Sequence, residues 1–258
     1  MRFIGKMAML GVACISLTAC EQVQKVAANA AGLPTDENVL FWTQDQRDNA
    51  FRQMEVLTTT RTIEAGDTVR EIPAGKPLPA LLPAADGTDG AGISIDDYMA
   101  DQRLAGLVVL QDGKARLEEY RMDFTKDDRW TSFSVAKSLV STLVGAAIKE
   151  GFIKSLDDPL TTYIPELTGS GYDGVTVEQL LTMTSGVKWN EDYEDKNSDV
   201  AKFNTTKSKD GVDPVILYMK TLVNEAEPGT RWQYNTGETN LIGVLVAKAT
   251  GKSLSEYL

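Results

Sequence analysis

The chain has 258 residues, is 42% hydrophobic and 24% charged, and carries a formal net charge of −11 with no histidine. Such a composition belongs to globular material, one domain of moderate size or two small ones, and excludes a disordered polymer. The acidic balance argues against nucleic acid and against electrostatic attraction to anionic lipid, and the missing histidine removes the usual proton acceptor of a nucleophilic serine or cysteine.

In chain order, Arg2 and Lys6 precede an apolar run from Met7 to Leu17, too short to span a bilayer and built like a secretory signal. Leu17-Thr18-Ala19-Cys20 follows and resembles a bacterial lipobox, which implies a lipoprotein signal peptide over 1–20, with Cys20 lipidated as the first mature residue and Cys14 lost with the signal. The expected location is therefore the bacterial cell envelope, exported, facing the periplasm and anchored to a membrane through the N-terminal lipid. Residues 21–83 read as a linker and docking segment, with one amphipathic stretch from Phe41 to Val56 expected to form a short helix, and the main domain is expected over 84–258. Asp86 to Gly92 is a Gly-rich turn whose spacing matches neither a calcium nor a phosphate loop. Alternation from Ala105 to Leu110 and from Lys114 to Arg121, around Gln111-Asp112-Gly113, predicts an antiparallel hairpin.

Ser134-Val135-Ala136-Lys137 opens the next element. A serine becomes a nucleophile when a neighbouring group takes its proton. With no histidine, a lysine three residues on, one helical turn away on the same face, is the available substitute. One such tetrad is expected by chance in a chain of this length, so spacing alone is weak. Trp130 to Phe133 supplies cap chemistry, and Val135, Leu139, Val140, Leu143, Val144, Ala147 and Ile148 predict an almost wholly buried helix ending at Gly151. Ser134 would then lie at the positive end of that helix, where an oxyanion is favoured. A second copy, Ser185 to Lys188, contains Gly186 at an expected helix end and is read as carrying no chemistry.

Beyond Gly151 the chain reads as short helices with capped starts at Asp158-Pro159, at Thr176 with Gln179 for a helix from Val177 to Met183, at Asp213-Pro214 and at Ser253 with Glu256. Glu191 to Asp195 is a dense acidic run read as a solvated loop, with Tyr193 in it free to face a substrate. No metal site or cofactor motif is present in this reading.

Four landmarks in order carry a resemblance: Phe133 to Ser138; Ser155 to Pro159 with Tyr163 to Leu167; Val177 to Gly186; and Pro228 to Thr236. They are similar to the serine β-lactamase and penicillin-binding-protein superfamily, in particular its class C-related branch of esterases, D-aminopeptidases and 6-aminohexanoate-dimer hydrolases. The resemblance runs from about Gly106 to Leu258. It implies an α/β (α+β) fold, an antiparallel sheet flanked by helices with an all-helical lobe, and a fragment whose remaining strands and Lys-Thr-Gly-like triad lie beyond Leu258. It also implies that Ser134 is acylated, that Lys137 is its proton partner and that Tyr234 shuttles the proton. Asn235 and Thr236 stand where the family has a small residue and then Asn; with Tyr193 they are the expected substrate-binding residues.

Three activities follow from this reading. One is a serine hydrolase cleaving an amide or ester of a small molecule through an acyl-enzyme. Another is a β-lactamase or D,D-carboxypeptidase acting on penicillins or cell-wall peptide. The last is a non-catalytic lipoprotein that keeps the scaffold. The Tyr234-Asn235-Thr236 departure leans toward the first, and the intact serine, lysine and tyrosine lean against the last.

Overall fold

The computed structural model describes residues 26, 28, 33, 34, 39, 42–57, 60–79, 81–82 and 92–258; the expected leader with Cys20, and most of the turn from Asp86 to Gly92, lie outside the described residues. The chain divides into two compact units, 1–60 with 64–131 and 61–63 with 132–258. Among the described residues no helix is long and apolar enough to cross a membrane.

In the first unit the stretch expected as one helix forms two, α1 (Gln44–Ala50) and α2 (Met54–Leu57). Thr43 caps α1 reciprocally: its hydroxyl accepts from the Gln46 amide at 3.3 Å, and the Gln46 side chain accepts from the Thr43 amide at 2.8 Å. The break falls at Arg52, whose guanidinium donates to the Met122 carbonyl at 2.8 Å and lies 5.9 Å from the Phe124 ring. Phe51 meets Trp42 and Trp130 at ring separations of 6.2 and 5.9 Å. Two antiparallel ribbons complete the unit. The short one pairs β1 (Leu81–Leu82) with β2 (Ile93–Ser94), and Ser94 caps α3 (Ile95–Asp101). The longer one pairs β3 (Gly106–Gln111) with β4 (Lys114–Tyr120), within a residue of the expected hairpin. Its turn needs a left-handed backbone at Asp112 (φ 52°) and Gly113 (φ 73°), which an Asp-Gly pair adopts at little cost.

The second unit is helical. A 3₁₀ turn (Phe133–Val135) runs into α4 (Ala136–Lys149). After two further 3₁₀ turns come α5 (Val177–Leu181), α6 (Asp199–Thr205), α7 (Pro214–Met219), α8 (Thr236–Thr250) and α9 (Leu254–Tyr257). The core is built around α8, where Leu241, Ile242, Leu245 and Val246 are buried against Leu143, Val144 and Ala147 of α4 and Ile216 and Met219 of α7. Gly237, in the first turn of α8, allows this approach: a Cβ there would lie 2.5 Å from the Met219 sulfur and 3.0 Å from the Trp189 ring. Gly251, at φ 70°, ends α8 in the left-handed conformation.

Four details of the sequence reading are corrected. α4 is not wholly buried, because only one stripe faces α8; Val135 and Leu139, on its flank, are 73% and 50% exposed. No side-chain cap starts it either: the chain enters through the 3₁₀ turn, and neither Ser132 nor Val135 makes a capping bond. Asp158-Pro159 begins a 3₁₀ turn (Leu160–Thr162) rather than a helix, and α5 stops at Leu181, two residues short, because Met183 takes φ 55°. The fold is thus mixed α/β, with the described antiparallel structure present as two small ribbons.

Candidate active site

The packing of α4 against α8 brings together two segments 100 residues apart. Phe133 takes φ 42°, a left-handed conformation that costs a non-glycine residue about 1 kcal/mol. Ser134 follows in the 3₁₀ turn, and Lys137 lies on the next turn of the helix. Three residues of helical advance put both side chains on one face, and Lys137 Nζ donates to Ser134 Oγ at 2.9 Å.

Tyr234 comes from the residue preceding the cap of α8. Its approach is pinned by the Gly229 amide donating to the Thr184 carbonyl at 2.7 Å and the Gln233 amide donating to the Met183 carbonyl at 3.0 Å. Gln233 also donates through its side chain to the Trp189 carbonyl. The Tyr234 hydroxyl donates to Ser134 Oγ at 3.0 Å, and Lys137 Nζ lies 5.2 Å from the centre of its ring. Three side chains chosen from the sequence thus meet on one oxygen.

Electrostatics separate the two tyrosines near this point. Burial raises the Tyr234 pKa, but hydrogen bonding to Ser134 and Lys137 and the charge of Lys137 outweigh it, so the phenol ionises more readily than usual despite an opposing contribution from Glu191. Tyr193 goes the other way, pushed up to about 12 by burial and by its bond to Glu191. One phenol is prepared to lose a proton and the other to keep it.

The remaining expected site residues are spread differently. Tyr193 is 48% exposed, and its hydroxyl lies 3.2 Å from Thr236 Oγ1. Asn235 is 1% exposed and its Oδ1 accepts from the Glu238 amide at 3.0 Å, so it is the N-cap of α8 rather than a group that can meet a substrate. Ser185, of the second tetrad, is buried, donates to Glu238 and accepts from the Val187 amide at 3.1 Å; no hydrogen bond joins it to Lys188.

Glu191 escaped the sequence reading. It was grouped with a solvated acidic run, yet its carboxylate accepts from the Tyr193 hydroxyl at 2.6 Å, the Thr236 amide at 3.0 Å, the Thr236 hydroxyl and the Trp189 indole N–H. Spacing could have hinted at it, since Trp189-Asn190-Glu191 puts a donor and an acceptor two residues apart. Its partner Thr236 is 45 residues away, which no local pattern reveals. Glu238 was likewise unremarked. It is 1% exposed, and burial pushes its carboxyl up to about 7 although Ser185 and Tyr172 pull it down.

Comparison with known proteins bears on the family of the chain. A family profile described as Beta-lactamase matches residues 94–258. The 6-aminohexanoate-dimer hydrolase of Paenarthrobacter ureafaciens is 38% identical over 160 residues, 58% of this chain and 40% of that protein. A Pseudomonas fluorescens protein named Beta-lactamase is 26% identical over 174 residues, 64% of this chain and 45% of that protein. The chain therefore spans less than half the length of either relative. Among solved structures, a putative 6-aminohexanoate-dimer hydrolase from Bacillus anthracis superposes with a TM-score of 0.68 at 20% identity, covering 83% of this chain and 57% of that one, which is a likeness of fold.

Proposed function

The chain belongs to the beta-lactamase family, and from that premise we propose that it is the catalytic part of a serine hydrolase that cleaves an amide or ester bond of a small molecule through an acyl-enzyme on Ser134. The single observation carrying the proposal is the convergence of Lys137 Nζ and the Tyr234 hydroxyl on Ser134 Oγ, at 2.9 and 3.0 Å.

Tyr234, its ionisation eased by Lys137, is the proton acceptor. As phenolate it accepts the Ser134 proton while Oγ attacks the carbonyl carbon. The neutral phenol then returns that proton to the leaving amine or alcohol as the carbon–heteroatom bond breaks. A water deprotonated by Tyr234 attacks the ester in the second half, the bond from carbon to Oγ breaks, and Ser134 recovers its proton. Lys137 stays beside Oγ throughout as donor and charge. Tyr193 and Thr236, at the rim, are the proposed substrate contacts; Asn235 is left out because it is buried in its cap.

A small-molecule amide is supported by the relative named for hydrolysing 6-aminohexanoate dimer, at 38% identity. Penicillins or cell-wall peptide are the second reading, supported by the beta-lactamase relative at 26%. Membrane attachment through Cys20 is proposed on the Leu17-Thr18-Ala19-Cys20 pattern.

Ser134→Ala in the full-length protein is expected to abolish p-nitrophenyl ester turnover and labelling by a fluorophosphonate probe. Undiminished labelling in that variant would sink the assignment. A fluorescent penicillin separates the two substrate readings: acylation favours the second and its absence the first.

A further inference from the structure

We propose that Glu191 is a positioning residue whose carboxylate clamps the loop from Trp189 to Tyr193 onto the first turn of α8 and so holds the Tyr234 hydroxyl on Ser134. The proposal deepens the Ser134, Lys137 and Tyr234 reading and rests on it for its catalytic consequence.

The argument begins with proton accounting. Oε1 of Glu191 accepts from the Tyr193 hydroxyl at 2.6 Å and from the Thr236 hydroxyl, while Oε2 accepts from the Thr236 amide at 3.0 Å and from the Trp189 indole. Four donors on one carboxylate leave it no exposed role as a ligand for a cation. The donors come from two segments separated by more than 40 residues, so the carboxylate is a cross-link between them. Thr236 is two residues from Tyr234, and its amide and hydroxyl are both held, which fixes the direction in which the chain leaves the tyrosine. Trp189, at the other end, is 3% exposed and packs edge-on against Phe203 and Tyr218, so the anchor is itself rigid.

A second effect is electrostatic. The charged groups facing Tyr234 are Lys137 from α4 and Glu191 from the loop, with Ser134 and Tyr193 as neutral neighbours. Lys137 eases ionisation of the phenol and Glu191 opposes it. Loosening the clamp withdraws the phenol from Ser134 and Lys137, and losing those two partners outweighs losing the smaller opposing charge of Glu191, so a variant without the clamp ionises Tyr234 at higher pH.

The test uses the full-length protein with Glu191→Gln and Glu191→Asp. Phenolate absorbance is titrated for the parent and for each variant, and the curve of the corresponding Tyr234→Phe protein is subtracted from it, which reads Tyr234 without requiring turnover. Glu191→Gln is expected to ionise Tyr234 at higher pH than the parent. Glu191→Asp keeps the charge but is one methylene shorter and cannot span both segments; its Tyr234 should also ionise at higher pH than the parent, while kcat for a p-nitrophenyl ester falls about tenfold and KM changes little. A Glu191→Gln midpoint at or below that of the parent overturns the proposal, as does parental kcat in Glu191→Asp; should Glu191→Gln not fold, Glu191→Asp decides alone. A parent without Ser134-dependent turnover defeats the acyl-enzyme reading instead, and the titration still judges the clamp.

Discussion

Tyr234 sits where four influences meet: burial and the Glu191 charge, which resist ionisation, and Ser134 and Lys137, which promote it and prevail. A base must be deprotonated to act, so the sign is determined. On the proposed mechanism kcat rises with pH as the phenol ionises and levels off below the ordinary tyrosine range near 10. Tyr234→Phe should lose about a hundredfold or more in kcat together with that acid limb; a pH–rate profile checks both, and a limb that survives the substitution assigns the base elsewhere. At this scale the sequence was most informative about Ser134 and Lys137, because three residues on a helix is a local distance. It was least informative about Glu191, whose distant partner Thr236 is brought to it by folding. The acidic run around Glu191 does read as solvated on composition, and for the exposed Asp192 and Glu194 that holds.

Among the elements α8 matters most, since it carries the core on one side and the tyrosine loop at its start. Its first turn is crowded. Gly237→Ala would drive a methyl into the Met219 sulfur and the Trp189 ring, both already packed. Overpacking of that kind costs about 1–3 kcal/mol, and the expected outcome is a lower urea midpoint with unchanged slope. A midpoint equal to the parent would mean that α8 can shift along α7 without loss. The sequence reading named no helix over α8, although Gly251 after its last turn is a stop signal, and it took the N-cap of that helix for a binding residue. Asn235 can do either job by chemistry, and only burial decided between them. α4 was misjudged for the opposite reason: an apolar list says which residues prefer burial, not which of them another element covers.

For the molecule as a whole, the buried Glu238 makes stability depend on pH. Its carboxyl titrates at about 7 in the folded chain against 4.5 ordinarily. A raised folded pKa means that the native state binds the proton more tightly, so this contribution is complete below pH 4.5 and is lost as pH rises through 7. The difference of two to three pH units corresponds to roughly 3 kcal/mol. Glu238→Gln should therefore gain on the parent in denaturant unfolding at pH 8 and show little difference at pH 5. Equal stability gaps at the two pH values would contradict this linkage. Ser185, which donates to Glu238, thereby acquires a structural role, consistent with reading its tetrad as chemically silent.

What the amino-acid order determined by itself were the features with short-range causes: the Asp112-Gly113 hairpin, the Thr176 and Ser253 capping boxes, and the helical spacing of Ser134 and Lys137. Each depends on a few neighbouring residues and elementary geometry. Only the tertiary structure decided that Tyr234 reaches Ser134, that Glu191 binds Thr236, and that Asn235 and Glu238 are buried. Those outcomes depend on α8 packing against α4, and long-range contacts follow from how whole apolar faces are buried together rather than from any pattern within one segment.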